Sequence, residues 1–219
     1  MKAEFDYQWG NLPTTLIDYT PARVNELLNF TGLPREFFKG KIALDAGCGN
    51  GRYTYAMMEL GAKVMSIDIS EEAIKKCSQI NEWSMQTSIM ELGAIPFFDF
   101  ILSWGVLHHT ENPHEGFVKL VSVLKPGGTL HLMLYNKKGQ GRYTKLREQF
   151  KALDEAGRLK MAQGLAKKPE HVHGWYDALN PEYNYGYDPL EIYGWFKDIG
   201  FTDIKLVKEH NININGKLK

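Results

Sequence analysis

Cysteine is scarce. The 219 residues contain two, Cys48 and Cys77, too few for a disulfide framework or a four-cysteine metal site. Net charge is absent as well: Lys and Arg number 26, Asp and Glu 26, and the formal sum is +0. Without a broad basic field, general nucleic-acid binding is disfavoured. Long apolar runs are missing too. The richest, residues 95–107, contains Asp99 and is too short to span a bilayer. The opening MKAEFDYQWG has no apolar signal-peptide core. There is no internal repeat and no low-complexity tract. These absences lead to the expectation of a soluble, cytoplasmic protein with no membrane partner.

What remains is ordinary globular material, 43% hydrophobic and 24% charged. A chain of this length buries roughly 70–75% of its unfolded surface and needs no staples. From residue 41 onward, β-rich runs alternate with helical stretches, the mark of βαβ units around a mainly parallel sheet. Strands are expected at 41–46, 62–69, 98–104 and 129–135, with a weaker one at 84–90 and two more at 201–207 and 212–218. Near-continuous apolarity suits strands covered on both faces. Helices are expected at 52–60, ending at Gly61, at 71–80 behind an N-cap at Ser70, at 113–124 and at 190–199. The fold class is therefore α/β and doubly wound.

Residues 137–187 interrupt this alternation. Leu146, Phe150, Leu153, Met161 and Leu165 stand at helical spacing, so the segment reads as a helical cap over a site. Between 136 and 175, ten Lys or Arg face four Asp or Glu. The expected organisation is an N-terminal helical segment 1–40 folded over the same side, an α/β domain from 41–136 plus 188–219, and the cap.

The strongest local signal is LDAGCGNGR at 44–52, between the first strand and the first helix of the alternation. Gly47, Gly49 and Gly51 permit a sharp turn and leave room for a ligand against the backbone, and the following helix N-terminus offers unpaired N–H groups. Position 52 is Arg, where a dinucleotide fingerprint wants a packing glycine. Asp68, closing the second strand 17 residues past Gly51, can accept both hydroxyls of a ribose. Taken alone, such a turn is compatible with a purely structural role. Together with Asp45 and Asp68 it reads as a nucleoside-binding site at strand C-termini.

These residues resemble the class I S-adenosylmethionine-dependent methyltransferases. DAGCGNG is similar to their first motif and MSIDIS to their second. IMELGAIPF, FDFILSWGVLHHTENP and LKPGGTLHLML are similar to the third, fourth and fifth. The resemblance implies a seven-stranded, mostly parallel sheet and S-adenosylmethionine as cofactor. It also implies roles. Asp45 and the backbone of Ala46, Gly47, Cys48 and Gly49 would hold the methionine end, with Gly51 completing the loop. Asp68 would take the ribose hydroxyls and Ile69 pack on adenine. Glu91 would accept from the adenine amine, Leu92 N–H would pair a ring nitrogen, and the Ser103 carbonyl would meet the ammonium. Asp68 as a helix cap and Glu91 as a solvated loop charge are the plainer alternatives.

Acceptors sit near the fourth strand in this family, which makes His108 and His109 candidates for a base or orienting group, against a role as loop histidines. His171, His173, Tyr176 and Asp177 form a second polar cluster. Trp104, Tyr135 and Asn136 are expected to face the pocket, and Tyr7, Trp9 and Tyr53 to wall it or pack in the core. Arg142, with Lys145 and Arg147, would meet an acidic acceptor or simply form a solvated helix face. Adjacent histidines point different ways, so no metal is expected. The reading is an enzyme methylating a small molecule, oxygen ahead of nitrogen, as monomer or homodimer. An RNA or protein methyltransferase and a non-catalytic cofactor-binding module are the alternatives.

Overall fold

The structure, a computed structural model, describes residues 2–12 and 19–219. Seven strands form one sheet: β1 (Ile42–Ala46), β2 (Lys63–Asp68), β3 (Ser84–Gln86), β4 (Phe98–Trp104), β5 (Leu124–Tyr135), β6 (Phe201–Lys208) and β7 (Asn211–Leu218). Their order is β3-β2-β1-β4-β5-β7-β6. All neighbours run parallel except β7, which is antiparallel to both β5 and β6. Alternate strand residues feed opposite faces. Leu44, Ile101 and Leu132 join one apolar cluster, while Ala43, Phe100 and Leu102 join another.

Ten helices surround the sheet among the described residues: α1 (Lys2–Asn11), α2 (Pro21–Thr31), α3 (Arg52–Glu59), α4 (Glu71–Cys77), α5 (Pro113–Ser122), α6 (Lys137–Gln140), α7 (Thr144–Lys151), α8 (Glu155–Leu165), α9 (Val172–Leu179) and α10 (Pro189–Ile199). Ser70 caps α4 by accepting from Ala73 N at 3.2 Å. Asn112 caps α5, and Pro113 occupies its first turn.

Two expected strand boundaries move for identifiable reasons. The Lys-Pro-Gly-Gly stretch lies inside β5 rather than before it. Gly127 takes φ 77°, and the register against β4 shifts between Phe98 and Phe100, so an irregularity absorbs the turn residues without ending the strand. The strand expected at 84–90 stops at Gln86. Ser88 Oγ accepts from Met90 N at 3.1 Å while the Glu91 carboxylate accepts from Ser88 N at 2.9 Å. This reciprocal cap winds Ile89–Glu91 into a 3-10 turn instead.

Helices α6 to α9 occupy 137–179 and carry a small core of their own. Phe150, Ala162, Val172, Tyr176 and Leu179 pack with Leu12 from the N-terminal segment. Helix α1 is fixed at several places. Asp6 Oδ1 accepts from Ser70 Oγ at 2.7 Å and Glu71 N at 2.9 Å. Lys76 Nζ donates to the Trp9 carbonyl. Tyr7 meets the Tyr176 ring of α9 at 5.7 Å. Among the described residues, no helix is long and apolar enough to cross a membrane.

Candidate active site

The glycine loop is built by its hydrogen bonds. The N–H groups of Gly47 and Cys48 both donate to Ile67 O, at 2.8 and 2.9 Å, fastening the tip of β1 to β2. Gly47 has φ 87°, and a Cβ there would stand 2.2 Å from Val106 Cγ2; at Gly49, φ 55°, it would stand 2.4 Å from the Trp9 ring. Any side chain at these two positions would be strained and would collide.

Asp68 closes the loop from the other side. Its Oδ2 accepts from Gly49 N and its Oδ1 from Ser70 N, both at 2.9 Å. Burial pushes this carboxyl up to about 6, with the two backbone donors pulling against it. Each carboxylate oxygen keeps a further lone pair. A cavity of about 1240 Å³ opens here, lined by Gly47, Cys48, Gly49, Asp68 and Ile69. That exceeds the usual upper range of about 1,000 Å³ for small-molecule pockets. A bare-backbone cradle, a buried carboxylate on the wall and a flanking apolar residue fit an adenosyl group.

Several residues expected at the cofactor lie behind this wall. Asp45 is buried, its Oδ2 accepting from Thr54 Oγ1 at 2.7 Å. Thr54 also bonds Ser66 Oγ at 2.8 Å, which accepts from Asn81 Nδ2 at 2.9 Å. This network joins β1, α3 and β2 beneath the loop, so Asp45 does not reach the cavity. Ala46 and Ser103 are likewise buried in their strands. Glu91 is spent on Ser88 N and Thr87 Oγ1, and Leu92 N–H donates to Ile89 O at 3.2 Å. Neither Glu91 nor Leu92 lines the cavity. Thr87, Ser88, Ile89 and Met90 do, because the 3-10 turn presents its opening residues and turns the later ones away.

Burial pushes the Asp45 carboxyl up to about 7. A carboxyl raised on folding binds its proton more tightly in the folded state, so its contribution to stability falls as pH rises from the unfolded value toward about 7. Asp45→Asn keeps an acceptor for Thr54 and removes the buried charge. Its melting temperature is expected to gain on wild type between about pH 5 and pH 8; parallel melting curves across that range would contradict this.

At the far end the cavity is walled by His109, Tyr135, His173 and Asp177. Asp177, on α9, is the node. Its Oδ2 accepts from Tyr135 Oη at 2.8 Å and lies 3.5 Å from His109 Nε2. Its Oδ1 accepts from Gln8 Nε2 at 3.4 Å. Burial works to raise this carboxyl, but the neighbouring His109 and His173 and the Tyr135 hydrogen bond outweigh it and hold it well below the usual range. His109 Nδ1 lies 3.0 Å from the Tyr183 carbonyl, an oxygen that only accepts, so the Nδ1 nitrogen carries a proton. Burial lowers His173 to about 4, and Gln8 Nε2 stands 3.1 Å from its Nε2.

His108, paired with His109 in the sequence reading, is placed differently. It is buried and absent from the cavity wall, stacked on Tyr135 at 3.9 Å. Burial and the neighbouring His109 hold it well below its ordinary value, so it packs as a neutral ring. The two imidazoles do not diverge as adjacent residues on a strand would. The chain turns through the 3-10 segment Leu107–His109, and the rings meet at 4.1 Å.

The other acceptor candidates divide. Trp104 lines the cavity. Tyr176 is buried in the cap core against Phe150 at 5.2 Å, and His171 is exposed before α9. Asn136 caps α6 and lines a separate cavity of about 180 Å³ with Tyr135 and Arg147. The side chain of Arg142 lies outside the described residues. Among the described residues no group of three or more His, Cys, Asp or Glu could hold a metal ion.

Residues 44–132 match the family model described as "Methyltransferase domain". The chain is 31% identical over 177 residues to a tRNA U34 carboxymethyltransferase of Methylococcus capsulatus, covering 77% of this chain and 47% of that protein. It is 30% identical over 160 residues to a ubiquinone biosynthesis O-methyltransferase of Caulobacter vibrioides, covering 69% and 58%. The chain thus spans only about half the length of these curated relatives. Its fold superposes on magnesium protoporphyrin IX methyltransferase from Synechocystis PCC 6803, solved with bound S-adenosylmethionine, at TM-score 0.61 and 15% identity, covering 100% and 95% of the two chains. Loop chemistry, strand order and family match agree: residues 44–132 are similar to a methyltransferase domain, and the sheet has the fold of the solved methyltransferase.

Proposed function

We propose that the protein transfers a methyl group from S-adenosylmethionine to a hydroxyl of a small-molecule acceptor. The observation that carries this reading is a single cavity that takes in both the adenosyl cradle at Gly47–Gly49 and Asp68 and the His109, Tyr135 and Asp177 cluster. Helices α1 and α9 contribute Phe5, Trp9, His173 and Gly174 to its walls, which suits an acceptor small enough to be enclosed. Zero net charge argues against a polyanionic one. The relatives named for ubiquinone O-methylation support oxygen as the acceptor atom.

When bound, the cofactor supplies an electrophilic methyl group on a sulfonium that departs as a neutral thioether. The chain's work is positioning, worth up to about 7–11 kcal/mol when reacting atoms are aligned, and removal of the hydroxyl proton. Asp177 faces the cavity, whereas His109 Nε2 is shielded behind it. The hydroxyl therefore donates to Asp177, and the proton comes to rest on His109 Nε2. Tyr183 O holds the opposite ring nitrogen protonated and keeps that lone pair free.

The test is incubation with methyl-labelled S-adenosylmethionine and, separately, a dialysable small-molecule extract, total RNA and total protein. Label is expected in the small-molecule fraction. Label confined to RNA or protein would overturn the reading.

A further inference from the structure

Arg147, on α7, belongs to the basic run of the cap, and methyl transfer as described above leaves it without a role. Its side chain is not a free arm on a solvated face. Nε donates to the Ala178 carbonyl of α9 at 2.9 Å, and Nη2 donates to Gln140 Oε1 of α6. The guanidinium lies 5.9 Å from the Tyr143 ring centroid, and burial holds its pKa below the ordinary value. Three helices thus fix the fork of one half-buried cation. Among the described residues it makes no ion pair, a costly state for a charge drawn out of water.

The cavity of about 180 Å³ beside it is rich in donors and free of acid. Its wall includes Arg147, Gln140, Asn136, Asn211 and His210, and no Asp or Glu. Gln140 Oε1 is taken by Arg147, which leaves its amide nitrogen as a donor. One full positive charge among neutral donors suits a monoanion, and the planar fork suits a carboxylate. The volume falls below the range of about 300–1,000 Å³ for whole small molecules, so an acid group fits and a complete acceptor does not. Tyr135 and Asn211 stand opposite each other on β5 and β7 and line both this cavity and the large one. Tyr135 Oη is the group bonded to Asp177. The small cavity therefore shares two wall residues with the reacting end.

We propose that this small cavity is a carboxylate-binding site in which Arg147 takes the charge. The carboxylate has two sources: an acid group of the acceptor, which rests on the methyl-transfer reading, or a free small carboxylate, which does not. Two measurements separate them.

The first is melting in sodium acetate against sodium chloride at equal ionic strength, for wild type, Arg147→Lys and Gln140→Glu. Glu at 140 still accepts from Arg147 but supplies an internal anion, so it fills the site without removing the arginine. Wild type is expected to melt about 2–4 °C higher in about 100 mM acetate, as for a ligand several-fold above its Kd. Arg147→Lys should show a smaller rise, and Gln140→Glu none, with its melting temperature in chloride no lower than that of wild type. No rise in wild type, or an equal rise in Gln140→Glu, would overturn the proposal and leave Arg147 a brace between helices.

The second passes the product labelled from a dilute small-molecule extract over an anion-exchange resin at neutral pH. Retained label whose yield falls about 10- to 100-fold in Gln140→Glu assigns the site to the acceptor. Unretained label with undiminished yield, alongside the acetate effect, assigns it to a free carboxylate. Label absent from the small-molecule fraction would overturn the methyl-transfer reading instead, while the acetate measurement still decides the role of Arg147.

Discussion

Replacing Asp177 with Asn is expected to lower turnover about 10²- to 10⁴-fold, the range for a lost general base, while S-adenosylhomocysteine affinity stays within about twofold. Asn has the same shape, and its amide oxygen can still accept from Tyr135 Oη, which now bonds Asp177 at 2.8 Å. What it cannot do is carry the negative charge that stabilises the hydroxyl's proton once it rests on His109 Nε2, 3.5 Å away. The effect is therefore chemical rather than steric. Radiolabel transfer to the acceptor found in the small-molecule fraction, together with calorimetry, measures both quantities. A variant at wild-type rate would remove Asp177 from the reaction.

The same substitution has a stability signature. Asp177 is held well below its ordinary value, so the folded state favours the charged form. Its contribution is present above the unfolded value near 4 and is lost as pH falls through the folded value. Asp177→Asn is thus expected to melt earlier than wild type at neutral pH, with the gap narrowing in acid.

Asp68→Ala is the second large effect. The N–H groups of Gly49 and Ser70 lose their acceptor, and each buried donor left unpaired costs about 1–3 kcal/mol. The loop should loosen, and S-adenosylhomocysteine affinity should fall by more than about tenfold. The pH dependence is diagnostic. Wild-type carboxyl, pushed up to about 6, ionises as pH rises through that value and becomes an acceptor for both ribose hydroxyls, so cofactor affinity should rise with it. Unliganded stability runs the other way, because the raised value favours the protonated folded state. Calorimetry across about pH 5 to 8 should show this rise in wild type and a flat profile in Asp68→Ala; an identical slope in both would assign the ionisation to another group.

Much of the fold could be read from the sequence because its signals are local. Gly47 and Gly49 announce a turn, Ser70 and Asn112 announce helix starts, and the apolar runs of β1, β4 and β5 announce buried parallel strands. The antiparallel insertion of β7 between β5 and β6 depends on long-range pairing, which no local pattern encodes. Asp68 was legible as a wall residue because it closes a strand two turns of logic away from a glycine loop. Asp45 looked equivalent, yet strand alternation sends its side chain into the Thr54–Ser66–Asn81 network. Glu91 looked like an adenine acceptor, yet a local capping box captured it first. On the acceptor side, His173 and Asp177 were visible as a polar cluster, while Gln8 was not: it acts from 165 residues away in sequence. Arg52 registered only as a departure from a dinucleotide fingerprint, because its packing on the Trp104 ring depends on a contact made by the fold.

Helix α1 touches both halves of the cavity at once. Trp9 packs against Gly49, Gln8 bonds Asp177, and Asp6 clasps the start of α4. One short helix therefore braces the glycine loop and the Asp177 cluster against each other, so a substitution that shifts it is felt at both.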